Sequence, residues 1–198
     1  MKTLKFQSKD EWMLARRGRI TGTRLKDVIV RRGSNKKIGY YELIAERLAT
    51  SPTGEDPMER GLRLEEEAID KYQDMIGKMF DIDLVIWARD DNDNIAVSPD
   101  GFTETEAVEV KCLSSARHIE AYLTQDIGEY KDQVMQYFIV NDKIEIVHVL
   151  YYDPRIPVKD IFAIKVERED IKDEIQFYLD YQIALLKGVN EVVNKLTF

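Results

Sequence analysis

Positions 107–112 read Ala-Val-Glu-Val-Lys-Cys, an alternation of period two that only an extended strand sorts into two chemically different faces. Glu109 and Lys111 then project to one side, and Val108, Val110 and Cys112 to the other, toward a core. Such a strand demands a sheet with at least one covered face. Upstream, "SPDG" places Asp100 on a turn after a further apolar run, and a hairpin or meander folds it back beside Glu109. Two carboxylates and an ammonium thereby converge.

As packing this cluster is poor, because like charges repel and burial makes ionisation costly. A divalent cation resolves the conflict. Mg2+ is a hard ion that takes one or two carboxylates and keeps several waters, so Asp100, Glu109 and the backbone carbonyl of Val110 suffice. The ion acidifies a water and offsets charge developing on a phosphoryl group, with Lys111 placed to hold or deprotonate that water. Standing alone, the short pattern is also what a solvated strand face looks like.

The 198 residues suffice for one core, the single cysteine has no intramolecular partner, and no apolar run has the length of a membrane span. A single domain over 1–198 is expected, in a soluble, cytoplasmic protein with no membrane association. The net charge of −8 argues against nucleic acid, but the average hides a split. Residues 1–40 hold twelve Lys or Arg against three acids, +9, which leaves −17 for the other 158. A solvated basic surface accounts for that, yet Arg16-Arg17-Gly18-Arg19 followed by Thr21 and Thr23 combines guanidinium forks with hydroxyl donors, a mix that suits phosphate.

Ser8 and Glu11 mark a short opening helix, Thr21 or Thr23 caps a second to about Val30, and "RRGSNKK" reads as a basic loop. A third helix covers 39–49. From about Met58 to Lys78, Leu64, Ala68, Ile69 and Tyr72 recur at helical spacing, and Gly77 is the stop. Ile82–Trp87, Asn94–Ser98 and Ala107–Cys112 read as an antiparallel meander, with "RDDND" and "DGFTETE" as separators. Helices over 116–123 and 126–140, strands Lys143–Tyr152 and Ile161–Glu167, and a helix over 170–187 complete the chain. The expected fold class is α/β in the α+β sense, a central mixed sheet flanked by helices.

In this order the motifs resemble those of the lambda-type phage exonucleases, or YqaJ-like viral recombinases, of the PD-(D/E)xK nuclease superfamily. "SPDG" and "EVKC" are similar to its core motifs, and "RGLRLEEEA" at 60–68 to its helix motif. "WMLARRGRITGT" at 12–23 resembles its phosphate-binding segment, "DQVMQY" at 132–137 its glutamine helix and "YYDPR" at 151–155 its late strand end. The resemblance implies a restriction-endonuclease-like core over 58–167, a basic DNA-end-binding segment over 1–40 and a C-terminal helix over 168–198.

It further implies Asp100, Glu109 and Glu65 as ligands of Mg2+, with Mn2+ as the alternative and two ions in all. Lys111 becomes the water-activating lysine, and Gln133 helps position the nucleophile. Glu65, rather than Glu66 or Glu67, stands four after Gly61 and three before Ala68, as the motif requires. Arg16 matches the residue that binds a terminal 5′-phosphate, with Thr21 or Thr23 as hydroxyl partners. Arg117 matches a DNA-contacting residue, and Met58 the apolar wedge between the first base pairs, although a hydrophobic staple explains Met58 as well.

The implied activity is 5′-to-3′ digestion of one strand of duplex DNA from a 5′-phosphorylated end to mononucleotides, leaving a 3′ single strand for phage-type recombination. A homotrimeric ring, a single-strand annealing protein as partner, and a phage or prophage origin are implied with it. Leu113 stands where the family often has proline, and Gln133 and Gln136 are not two apart as in the family, which bears on subunit contacts. Two other readings stay open: a different nuclease of the superfamily, acting as an endonuclease or in repair, and a non-catalytic DNA-end-binding module.

Overall fold

The computed structural model describes residues 37–48, 57–83, 85–92 and 94–196. The two helices and the basic loop expected before residue 37, with Arg16, Thr21 and Thr23, lie outside the described residues, as does the Met58 side chain.

Helix α1 spans Ile38–Leu48 and α2 spans Pro57–Ile76. On α2 the buried face carries Leu64, Ala68, Ile69 and Tyr72, while Glu66, Glu67, Asp70 and Lys71 are exposed. Gly77 ends it with a φ of 66°, its N–H donating to the Gln73 carbonyl at 2.8 Å. A side chain there would strain the left-handed turn.

The expected meander is split between two sheets. Trp87–Ala88 (β1) and Ala96–Val97 (β2) form a two-stranded sheet among the described residues, and Gly101–Phe102 (β3) pairs antiparallel with Glu106–Lys111 (β4), Gly101 opposite Val108 and Phe102 opposite Ala107. Part of the stretch expected to separate strands is thus itself a strand. Its turn is built by Thr103, whose Oγ1 accepts the N–H groups of Thr105 and Glu106, and whose own N–H donates to the Glu106 carbonyl. Among the described residues, 82, 83, 85 and 86 form no ladder, and the pairing next to them is the bridge of Asp81 to Phe102. Strand β4 ends at Lys111, so Cys112 lies beyond it and is only half-buried.

Helix α3 (Ser115–Thr124), a 3-10 turn (Gly128–Tyr130) and α4 (Lys131–Val140) lead to β5 (Ile146–Tyr152). Strand β6 (Ile161–Glu167) follows, then α5 (Arg168–Leu196), longer than its expected 170–187 because Gly188 does not interrupt it. The main sheet is mixed, in the order β3-β4-β5-β6.

Two compact units emerge. One takes 1–64, 112–126 and 151–162, the other 65–111, 127–150 and 163–198. In the first, Tyr41 and Ala45 of α1 pack with Ala116, Ile119 and Ile156. The fully buried Asp153 accepts from Ser115 Oγ at 2.6 Å and Arg155 Nε at 2.8 Å. Burial alone raises its carboxyl, but these donors outweigh it and hold the group below the usual range.

In the second unit, Ile95, Met135, Ile139, Val140 and Leu179 form the core. The Tyr72 hydroxyl donates to His148 Nδ1 at 2.8 Å, and Nε2–H of that ring to Glu106 at 3.0 Å, tying α2 to β5 and β4. The last carbonyls of α4 are covered by two arginines. Arg89 Nη1 donates to Ile139 O at 2.6 Å, and Arg168 donates to the carbonyls of Ile144 (2.7 Å), Phe138 (3.0 Å) and Asn141 (2.7 Å). Cations at a helix C-terminus also complement its dipole. Arg168→Ala strips three carbonyls of a charged donor, for an expected destabilisation of about 2–3 kcal/mol. Urea unfolding should show it as a lower midpoint at unchanged slope, and a midpoint equal to the parent's contradicts the capping role.

Candidate active site

The β3–β4 hairpin places the first acid. The Asp100 N–H donates to Val108 O at 3.2 Å, and the Val110 N–H donates to Asp100 Oδ2 at 2.7 Å. Asp100 is thereby fastened to the strand next to Glu109, which is only 4% exposed. Period two does the rest: Glu109 and Lys111 share a face, and Lys111 Nζ donates to Glu109 Oε1 at 2.6 Å.

Helix α4 supplies the opposite wall. Gln133 Oε1 accepts from Lys111 Nζ at 2.9 Å, and the buried Tyr137 hydroxyl donates to Glu109 Oε2 at 2.6 Å. Tyr137 is fixed by Trp87, edge-on at 6.3 Å between ring centroids. Burial first, and then the Glu109 charge, push its phenol far up, so it remains a proton donor to that carboxylate.

Asp100 carries the electrostatic signature of the site. Burial first and the Glu109 carboxylate second push its carboxyl up to about 7; Glu65 adds to the rise, while the Val110 N–H and Lys111 oppose it. Glu65 is half-buried and acts on Asp100 through its charge, whereas Glu66 and Glu67 are exposed.

Among the described residues no three His, Cys, Asp or Glu side chains form a ready cage. Mg2+ needs fewer, since it dehydrates reluctantly and takes one or two carboxylates with waters. Asp100 and Glu109 supply hard oxygen donors whose mutual repulsion a dication relieves, so the residues present fit such an ion.

Arg117 belongs to the first unit, exposed on α3 and paired with Glu120 at 2.6 Å. Arg16, Thr21, Thr23 and the Met58 side chain are outside the described residues.

Sequence reasoning missed Tyr137 and Tyr130, whose ring centroid is 4.6 Å from Lys111 Nζ. The available signal was spacing: Tyr137 lies four after Gln133 and shares its helix face. Tyr137→Phe removes the donor that orients Glu109, and divalent-cation affinity should fall about tenfold or more, the usual cost of losing such a support. Calorimetric titration of the metal-free protein with Mn2+ measures this, and an unchanged affinity rejects the orienting role.

A family model for the YqaJ-like viral recombinase domain matches residues 11–143. The crystal structure of an alkaline exonuclease (LHK-Exo) from Laribacter hongkongensis is similar over 94% of this chain and 97% of that one, with 26% identity and a TM-score of 0.62. The structure of LHK-Exo in complex with dAMP is similar at the same identity and coverage, with a TM-score of 0.61. No curated protein matches. With an acid-rich hairpin facing a glutamine helix on a mixed sheet, and a family match over most of its length, the chain belongs to the YqaJ-like viral recombinase family and carries an exonuclease-type α+β fold.

Proposed function

We propose that this protein is a Mg2+-dependent 5′-to-3′ exonuclease that digests one strand of duplex DNA from a 5′-phosphorylated end, releasing mononucleotides and leaving a 3′ single strand. The observation that carries this is Asp100 fastened beside a buried Glu109, with Lys111 held between Glu109 and Gln133. Family membership supports a nuclease in particular, and dAMP in the similar LHK-Exo structure accords with a mononucleotide product.

Asp100, Glu109 and Glu65 would hold the cation, with the Val110 carbonyl as a further ligand; Mn2+ would also serve, and two ions are the expected complement. A bound dication supplies Lewis acidity toward the phosphodiester and acidifies a water. Lys111 places its ammonium at the attacking water and the phosphate oxygens, while Gln133 orients both by hydrogen bonds without adding charge. Oxygen from water bonds to phosphorus, the bond from phosphorus to the 3′ oxygen breaks, and a proton reaches the leaving oxygen.

Arg16, with Thr21 or Thr23, is assigned to the 5′-phosphate, Arg117 to the DNA backbone and Met58 to the wedge. A homotrimeric ring, a single-strand annealing partner and a role in phage-type recombination within the bacterial host complete the reading. No described helix is long and apolar enough to cross a membrane.

The test is digestion of linear duplexes bearing 5′-phosphate or 5′-hydroxyl ends, beside a closed circle, in Mg2+. Preferential loss of the phosphorylated strand is expected, with mononucleotides as product and the circle intact. Cutting of the circle at the same rate favours an endonuclease of the same superfamily, and no cleavage at all favours a binding module.

A further inference from the structure

Two oxygens and one aromatic ring surround the Lys111 ammonium. Its Nζ donates to Glu109 Oε1 at 2.6 Å and to Gln133 Oε1 at 2.9 Å, and it lies 4.6 Å from the Tyr130 ring centroid. That distance is well inside the ~6 Å over which a ring quadrupole attracts a cation. The lysine side chain is 14% exposed, so the attraction is only partly screened.

These partners differ in what else they must do. Glu109 offers its oxygens to the dication of the proposed site, and a carboxylate turned to a dication gives less to an ammonium. A ring face has no lone pair for a hard cation and accepts no proton. Its hold on Lys111 therefore does not compete with metal binding. The backbone also fixes the ring: Tyr130 closes the 3-10 turn Gly128–Tyr130, its N–H donating to Ile127 O at 3.1 Å, and leads directly into α4. Gly128 makes that turn with a φ of 56°, a region unfavourable to side chains. One rigid element thus carries both Gln133 and the ring.

We infer that Tyr130 is a positioning residue for Lys111, its ring holding the ammonium at the reacting phosphate by cation–π attraction. The inference rests on the nuclease reading above. It is tested by a series at position 130 that starts from Tyr130→Phe and adds ring fluorines, which weaken the quadrupole at nearly constant size. The single-turnover cleavage rate should fall stepwise, by about tenfold at the pentafluorinated ring, with KM for DNA unchanged. Tyr130→Leu, apolar and bulky without a quadrupole, should lose as much. A flat fluorine series with Leu tolerated marks the ring as mere filler and overturns the inference.

A second readout needs neither metal nor DNA. In the metal-free protein the ring should shift the Lys111 ε-methylene proton resonances upfield, and Tyr130→Leu should return them to the ordinary lysine position. Identical resonances in both proteins overturn the inference. Lys111→Ala separates the two levels of argument. If it cleaves like the parent, the nuclease site is wrong and the inference falls with it; if it is inactive while the fluorine series is flat, the role of Tyr130 alone is overturned.

Discussion

Asp100→Asn is expected to lower DNA cleavage at least about a thousandfold while leaving the fold intact, the scale of losing a group that stabilises transition-state charge. The amide keeps an oxygen for the Val110 N–H, which Asp100 Oδ2 accepts at 2.7 Å, so the hairpin retains its tie. What disappears is the negative charge. Lys111→Ala should cost about a hundredfold to ten-thousandfold, because water activation depends on a placed ammonium. Single-turnover cleavage of a labelled duplex measures both, and rates within a few-fold of the parent dismiss the site.

The second large effect concerns pH. A proton and a dication compete for Asp100, whose carboxyl sits at about 7 in the metal-free protein. Below that value the acid is neutral, so apparent Mg2+ or Mn2+ affinity should weaken about tenfold per pH unit, or roughly thirtyfold between pH 8 and pH 5.5. Titration calorimetry across that range is the measurement, and a flat affinity defeats the assignment.

Stability without metal should move the other way. The folded-state pKa of Asp100 is raised, so the folded chain binds more protons than the unfolded chain between about pH 4 and pH 7, and this group's contribution to stability falls as pH rises through that window. Asp100→Asn escapes the penalty. Metal-free Asp100→Asn should therefore melt higher than the parent at pH 8, and bound cation should narrow the difference.

What the sequence disclosed follows interaction range. The alternation of Val108, Glu109, Val110 and Lys111 is a local property of extended backbone, and it correctly joined Glu109 to Lys111. Helix α2 was legible because its described buried and exposed positions follow a helical period, and strand β6 because Ile161–Glu167 is rich in Ile and Val. Strand β3 was not: two residues carry no period, and Gly101–Phe102 is a strand only because β4 pairs with it. Ile82–Trp87 has strand composition, but among its described residues Trp87 alone has a ladder partner, and composition cannot provide one. Tyr137 reads as ordinary helix core until a carboxylate 28 positions earlier meets its hydroxyl.

Two rulers of different construction meet at this cluster. Glu109 and Lys111 are two residues apart on a strand, a step of about 6.7 Å, and Tyr137 and Gln133 are four apart on a helix, a step of about 6 Å. The near match lets one helical turn address both strand side chains at once, Tyr137 to Glu109 and Gln133 to Lys111. Adding one residue between Gln133 and Tyr137 would rotate one of them about 100° around the helix axis, and no side-chain adjustment restores both bonds. The spacing of these two residues is therefore as much a part of the site as their identities, and a single-residue insertion or deletion within that turn breaks one of the two contacts.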